Sequence, residues 1–437
     1  VSAAYPDRID ELFEFYRRAL GREILPFWRR AWDTELGGVY TCFSNDGSRL
    51  LGTDKYVWSQ GRFLWLLSRL VRMIRAEVLQ ESDGDQDDVT VSAVEYLEQA
   101  RKTCRFLLEH AVLEPGEGVC PFLLTREGLK KESVPGAGFY TSFYVDCFVI
   151  LGLSEFALAA GDQEPLDRAL ELYDRSIAFM ADHGVVSEPY PVPPGFLSHS
   201  VPMILCDTAF GLSEALLRSR HPRGDEVRAE SVRYAEAVLT RHYDEGTGLL
   251  RETVPLDRAD EDTLLARHFN PGHAVESMWF CGRAFEAAGG NAKLMERAAS
   301  VAANAVETGW DERRGGIVRF CDRAGGEPSG RLLEVPYERH VRETWDTKLW
   351  WVHSEALYAS MFFYVKTGEA RFWELNRRLG GYVFSTFPNP DREVGEWIQI
   401  RDRAGKPLEK TVALPVKDPY HIMRNFMLIL ELLSTER

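Results

Sequence analysis

The chain holds ten histidines, and three of them stand where an imidazole could do chemistry. In Asn270-Pro271-Gly272-His273-Ala274-Val275-Glu276-Ser277-Met278-Trp279-Phe280, Pro-Gly marks a helix start. His273, Glu276 and Phe280 then fall at i, i+3 and i+7, on one helix face. That pair suits an oriented acid and base, or part of a metal site of the kind built between paired helices. No second His/Glu helix motif accompanies it, so metal is the weaker option, and a histidine merely satisfied at a helix start is the bland one. The segment Lys348-Leu349-Trp350-Trp351-Val352-His353-Ser354-Glu355-Ala356 sets two adjacent indoles before a histidine and a carboxylate. Indole faces favour sugar C–H surfaces and carboxylates hold hydroxyls; the opposing account makes the tryptophans core and pairs Glu355 locally. Lys417-Asp418-Pro419-Tyr420-His421-Ile422-Met423-Arg424 puts His421 at another Pro-marked helix start. Finally, Trp58-Ser59-Gln60-Gly61-Arg62-Phe63-Leu64-Trp65 sets an arginine among aromatics, where a permanent charge calls for an anionic partner, an ordinary ion pair being the simplest.

Other chemistries lack their signals. The sequence contains no Walker loop, GxGxxG, HExxH or EF-hand loop. With 52 Lys and Arg against 67 Asp and Glu, the net charge of −15 repels polyphosphate and anionic membrane surfaces, so neither nucleic acid nor membrane is an expected partner. The opening VSAAYPDRIDELFEFY has no basic segment followed by an apolar one, and no later stretch approaches 18 uninterrupted apolar residues; a cytoplasmic protein is expected. Seven scattered cysteines without CxxC spacing read as buried reduced thiols.

The elements that must position these residues are mostly helical. Apolar residues at i, i+3, i+4 and i+7 recur in segments beginning near Arg8, Val57, Val91, Tyr140, Pro165, Val201, Asp225, Pro271, Ala292, Lys348, Arg371 and His421. Between them, Trp32-Asp33-Thr34-Glu35-Leu36-Gly37-Gly38-Val39-Tyr40 is echoed by Trp310-Asp311-Glu312-Arg313-Arg314-Gly315-Gly316-Ile317-Val318. Each copy runs on to a polar turn, Asn45-Asp46-Gly47 or Asp322-Arg323-Ala324-Gly325, and looser copies lie at Gly118 to Gly128 and Gly395 to Gly405. These read as small hairpins. A unit of hairpin plus paired helices cannot bury its apolar face alone, so the units must stack or close into a ring. About a dozen paired helices point to an all-α (α/α)6 toroid with short β-hairpins, an open solenoid being the alternative. The acidic Glu81 to Asp88 stretch reads as a solvated loop, and with no Pro/Gly/Ser-rich linker residues 1–437 are expected to form a single domain.

Taken together, Gly37-Gly38-Val39-Tyr40, Trp58-Ser59-Gln60-Gly61-Arg62, Val201-Pro202-Met203, the His273, Lys348 and His421 segments and Gly395-Glu396-Trp397 resemble the N-acylglucosamine 2-epimerase family over nearly the whole chain. That family includes renin-binding proteins, cellobiose 2-epimerases and mannose isomerases. The resemblance implies an (α/α)6 barrel in which His273 and His421 face one another as the acid/base pair, with Arg62 stabilising an enediolate and Glu276 and Glu355 as pocket carboxylates. Trp58, Trp279, Lys348, Trp351, His353 and Arg424 are the substrate-binding candidates it leads to.

Two departures bear on substrate range. The glycine-rich approach to the last histidine is here Lys417-Asp418-Pro419-Tyr420, and the proline before the final arginine is Met423. His353 stands where cellobiose epimerases commonly have Gln, and Ser200-Val201-Pro202-Met203 looks more like the acylglucosamine branch, so a monosaccharide is expected. The expected partner is thus a small sugar, with no catalytic cofactor and no metal, and homodimerisation stays open. A glycoside hydrolase using Glu276 and Glu355 on the same toroid, and a non-catalytic sugar- or protein-binding module, are the competing functions.

Overall fold

The computed structural model describes residues 4–80, 92–409 and 417–435; the Glu81 to Asp88 stretch lies outside them. Two kinds of helix alternate along the chain. One kind is apolar on nearly every side: α3 (Val57–Arg75), α5 (Tyr144–Ala160), α7 (Ser200–Arg218), α10 (Pro271–Ala287), α13 (Trp350–Thr367) and α15 (Tyr420–Ser434). In α5, for example, Val145 through Ala157 are buried without a break. The other kind shows one apolar stripe: α1 (Ile9–Ala19), α4 (Ala93–His110), α6 (Glu164–His183), α8 (Gly224–Ala237), α11 (Ala292–Gly309) and α14 (Ala370–Thr386). In α6 only Pro165, Leu166, Ala169, Leu172, Tyr173 and Ser176 are buried, the spacing of a single face. Helices buried all round must lie inside, and striped ones outside.

The packing follows. The first set closes a ring, α3 on α5, α5 on α7, α7 on α10, α10 on α13, α13 on α15 and α15 back on α3. Each inner helix carries an outer partner: α4 on α3, α6 on α5, α8 on α7, α11 on α10, α14 on α13 and α1 on α15. The architecture is the (α/α)6 barrel expected from the sequence, and its twelve helices start within a few residues of the expected positions. One hydrophobic cluster runs from Leu12 to Leu433. Helix α7 is long and apolar enough to cross a membrane, but 72% of its apolar window is buried inside the ring. All seven cysteines are buried and unpaired. Short helices α2 (Leu25–Arg30), α9 (Leu264–Arg267) and α12 (Pro336–Thr344) lie in the connections.

The hairpins stand in those connections as expected. The looser copies form antiparallel pairs, Leu123-Leu124 with Lys130-Lys131 and a bridge from Arg401 to Pro407. In the two close copies Trp32 bridges Val39 and Trp310 bridges Ile317. The paired glycines follow from the backbone: φ is +86° and +87° at Gly37 and Gly38, and +71° and +76° at Gly315 and Gly316. Two successive left-handed residues favour glycine at both positions.

Each of these two turns is tied to the start of an inner helix by two side chains in equivalent positions. Lys55 Nζ donates to Gly37 O at 2.8 Å and Asp33 Oδ2 at 3.0 Å, and Gln60 Oε1 accepts from Val39 N at 2.8 Å. In the second copy Lys348 Nζ donates to Gly315 O beside Asp311, and His353 Nε2 accepts from Ile317 N at 2.9 Å. Lys348 and His353 are therefore the counterparts of Lys55 and Gln60, not sugar contacts. Both are fully buried and neither lines the central cavity, which corrects their assignment as substrate-binding residues. His353 also donates from Nδ1 to Leu349 O at 2.7 Å, a pattern that requires the neutral ring, and burial pushes its pKa down to about 3. Because Gln60 already does this task, His353→Gln should stay folded and keep kcat/KM within about twofold. A drop beyond about tenfold in a well-folded variant, measured by steady-state kinetics and circular dichroism, would return His353 to the site.

Candidate active site

The N-terminal turns of all six inner helices open onto one cavity of about 840 Å³. Its walls include Trp58 and Arg62 of α3, Phe148 of α5, His273 and Glu276 of α10, Trp351 of α13, and His421 and Arg424 of α15. Six helix starts facing one space turn unpaired N–H groups and positive dipole ends toward it, a setting that favours developing negative charge.

The His273 segment is built for its position. Asn270 caps α10 by accepting from His273 N at 3.2 Å, and Pro271 follows at the first helical residue, where its missing N–H costs nothing. Gly272 makes room for the neighbouring helix: a Cβ there would lie 2.5 Å from Trp351 Cζ3. The Trp351 indole packs against both candidate bases, its ring centroid 5.4 Å from that of His273 and 5.8 Å from that of His421.

Each imidazole is held by a carboxylate on Nδ1, leaving Nε2 for other work. For His273 the partner is Glu252 Oε1 at 2.8 Å, not the expected Glu276. Burial opposes charge on His273, but Glu252 outweighs it and the pKa is raised, with Glu276 adding to the effect and Arg319 opposing it. Glu252 is buried, which would favour its neutral form, yet His273 and His199 hold it well below the usual carboxylate range. His199 Nδ1 lies 3.5 Å from Glu252 Oε2, and His268 stands close enough to sense Glu252 and His273. Glu252→Gln should lower the His273 pKa, so the acidic limb of the pH–rate profile should move to lower pH in the direction that uses His273 as base. An unmoved limb in a folded variant would show that Glu252 does not tune this histidine.

For His421 the partner is Glu355 Oε1 at 2.8 Å, with Asp418 Oδ2 3.5 Å from Nε2. Glu355 is wholly buried behind His421 and does not line the cavity. It also accepts from Arg424 Nη2 at 2.6 Å, Asn425 Nδ2 at 2.7 Å and Trp279 Nε1 at 2.8 Å. Trp279 is likewise fully buried beneath the cavity, so its assignment as a sugar contact is corrected to a donor that fixes Glu355. Glu355 is corrected from a pocket carboxylate to a positioning one.

Glu276 does reach the cavity, but Arg424 Nη2 binds its Oε1 at 2.6 Å, and His421 Nδ1 is 3.8 Å away. Glu276, Glu355 and His421 hold ligand atoms within 4.8 Å of one another, a donor set of metal-binding type. The Arg424 guanidinium already supplies the cation there, which makes the cluster a poor fit for a metal ion. The same geometry weakens the hydrolase reading: both carboxyls would have to face the sugar about 5–9.5 Å apart, whereas these share one guanidinium nitrogen and one of them is sealed from the cavity. Arg424 also forms a floor, since it lines a smaller polar cavity of about 190 Å³ with Arg69, Asp207 and Arg283. Burial, opposed by Arg424 and Arg283, pushes Asp207 up to about 6.

Arg62 lies with its guanidinium 3.9 Å from the Phe148 ring centre, 4.9 Å from Trp58 and 5.2 Å from Tyr420. Its Nη1 is 3.4 Å from Asp418 Oδ2. Arg62 is thus both ion-paired and exposed to the cavity. Sequence reasoning missed Glu252, which sits on a β-prone run 21 residues before His273 with no periodic signal. It also read Asp418 only as a departure from a pattern.

The model of the family described as N-acylglucosamine 2-epimerase (GlcNAc 2-epimerase) matches residues 37–425. An N-acylglucosamine 2-epimerase of Bos taurus is 28% identical over 439 residues, which is 98% of this chain and 93% of that protein. The solved structure of a cellobiose 2-epimerase from Bacillus thermoamylovorans B4167 superposes with a TM-score of 0.71 at 19% identity, covering 97% of this chain and 99% of that one. A D-mannose isomerase structure does so with a TM-score of 0.71 at 17% identity, covering 98% and 100%. Those two likenesses speak for the barrel alone. The match over residues 37–425 speaks for more: the chain belongs to the N-acylglucosamine 2-epimerase family.

Proposed function

We propose that this protein is a carbohydrate epimerase acting at C2 of a reducing monosaccharide of the N-acylglucosamine or mannose type, by proton transfer between two histidines through a cis-enediolate. One arrangement carries the reading: His273 and His421 both line one cavity and both pack against the Trp351 indole, each with Nδ1 bound to a carboxylate. Inversion requires that the ring open, that the proton on C2 beside the aldehyde be removed, and that one be returned to the opposite face. Two bases on two faces suit that sequence, and imidazole serves as base and then acid near neutrality. Reprotonation at C1 instead gives the ketose, so epimerase and aldose–ketose isomerase share the same residues.

Acid–base help is worth about 10²–10⁴-fold, too little alone for a weak carbon acid. Arg62 supplies the rest of the case, as a preorganised donor of the sort worth about 3 kcal/mol to a developing oxyanion. Arg62→Lys, which keeps the charge but loses the planar fork, should lower kcat at least about tenfold without unfolding the chain. Wild-type turnover in that variant would reduce Arg62 to an ion-pair partner.

The deciding experiment incubates the enzyme separately with N-acetylmannosamine, mannose, glucose, fructose and cellobiose in heavy water, followed by proton NMR. Loss of the C2 proton signal and growth of a 2-epimer or ketose from a monosaccharide is the expected result. Cleavage of a glycosidic bond, or binding without any C2 exchange, would overturn the proposal.

A further inference from the structure

Asp418 is held in an unusual state for a cavity-lining carboxylate. Its backbone is clamped by Gln399, whose Oε1 accepts from Asp418 N at 3.0 Å and whose Nε2 donates to Asp418 O at 2.9 Å. Its Oδ1 accepts from Tyr420 N at 3.2 Å, at the start of α15. The other oxygen, Oδ2, is buried with no hydrogen-bond partner among the described residues, 3.4 Å from Arg62 Nη1 and 3.5 Å from His421 Nε2. Arg62 Nε is likewise buried without one. Asp418 and Arg62 both line the cavity, and this uncommitted acceptor and donor lie just beneath its surface, next to the nitrogen of His421 that is not tied to Glu355.

The reacting end of an aldose carries the complement. On the way to a cis-enediolate the C1 oxygen gathers negative charge, while C2 keeps a protonated substituent, a hydroxyl or an acylamino N–H. Arg62 suits the first and a carboxylate the second, through a charge-assisted hydrogen bond. Because Oδ2 lies beside the base that addresses C2, the donor it meets is the one on C2.

We propose that Asp418 is a substrate-contacting residue that recognises the hydrogen-bond donor on C2 of the sugar. This rests on the epimerase reading. In the free enzyme Oδ2 lies against the Arg62 guanidinium and the His421 ring without hydrogen-bonding either, and the incoming C2 donor takes it up as they move aside. A site built to bond a substrate hydroxyl discriminates steeply against the analogue that lacks it.

The test compares the sugar turned over in the NMR panel with its 2-deoxy form, the latter measured as a competitive inhibitor of the full-length enzyme. Wild type should hold the parent sugar at least about tenfold more tightly than the 2-deoxy sugar. Asp418→Ala should weaken the parent at least about tenfold and leave the 2-deoxy sugar unchanged, and Asp418→Asn, which keeps an acceptor oxygen, should recover most of the loss. Equal weakening of both sugars by Asp418→Ala, or an Asn variant no better than Ala, would overturn the assignment. So would equal wild-type affinity for the two sugars, an outcome readable even if a variant does not fold. A wild-type enzyme that exchanges no C2 proton on any sugar instead overturns the epimerase reading, and this inference with it.

Discussion

With His421→Asn in heavy water, one C2 epimer should keep losing its C2 proton to His273 while the other slows by about 10²-fold or more, and His273→Asn should show the opposite preference. The expectation follows from the proposed two-base scheme, in which each ring serves one face of C2. Both face the Trp351 indole, at 5.4 Å and 5.8 Å, and each is oriented by a carboxylate on its Nδ1. A base on one side of the sugar reaches only the hydrogen pointing toward it, within about 3 Å for proton transfer. The carboxylates should sharpen the asymmetry, because Glu252 and Glu355 fix which nitrogen each ring offers. Exchange is read by NMR from each pure epimer under initial-rate conditions. If either variant exchanges both epimers at wild-type rates, its missing histidine is not a C2 base.

The barrel was legible because its signals are local and repeated. Each inner helix is apolar on nearly every side and each outer helix has one stripe, so burial pattern alone sorts the layers. The Trp-Asp turns were visible as a repeat because two successive positive-φ residues call for Gly37-Gly38 and Gly315-Gly316. A third turn shows where that signal fades. Pro388 bridges Trp397, and Gly395 is followed by Glu396 at φ +62°, a non-glycine held in the left-handed region with its carboxylate 2.7 Å from Lys417 Nζ. Glu396 in place of the second glycine is what makes the Gly395 to Gly405 copy a looser one, although its lysine stands where Lys55 and Lys348 do, just ahead of an inner helix.

The site was legible in part, and the reason is rotation about helix axes. In the Lys348 to Ala356 segment, Trp351 faces the cavity, while His353, two residues on, turns to the Trp310 hairpin. Glu355 returns to the face of Trp351 but one turn deeper, behind His421. On α10, Glu276 and Phe280 share the cavity face of His273, whereas Trp279 falls off it and donates to Glu355 instead. A motif quoted as a string therefore mixes residues that touch the cavity with residues that hold it. Glu252 could not be read at all, since its pairing with His273 joins a bend between two short strands to a helix and leaves no spacing rule.

The second large effect belongs to a residue sealed from the cavity. Glu355→Gln should lower kcat by about 10²-fold or more while changing KM little, by analogy with the amide replacement of a carboxylate that orients a catalytic histidine. Glu355 is fully buried and accepts from His421, Arg424 and Asn425 on one oxygen and from Trp279 on the other. An amide has only one accepting oxygen, so its NH₂ must face a donor whichever way it is turned. The most economical orientation turns the NH₂ toward Trp279, keeping the three bonds but removing a charge that helps balance Arg424. Removing one partner from a buried ion pair costs on the order of 3 kcal/mol, so the variant should also unfold at lower denaturant. Burial disfavours the Glu355 charge, but Arg424 and His421 hold its pKa well below the ordinary value. A depressed carboxylate pKa adds stability that is complete above the unfolded-state value, about 4.3, and fades as pH falls below it. The stability gap between wild type and Glu355→Gln should accordingly be constant from neutral pH down to about 5 and narrow below that. Urea titrations at several pH values read the gap, and steady-state kinetics at neutral pH read the split between kcat and KM. A rise in KM with kcat unchanged would mean that Glu355 meets the substrate after all, and a gap that widens on acidification would mean that it is not ionised in the folded protein.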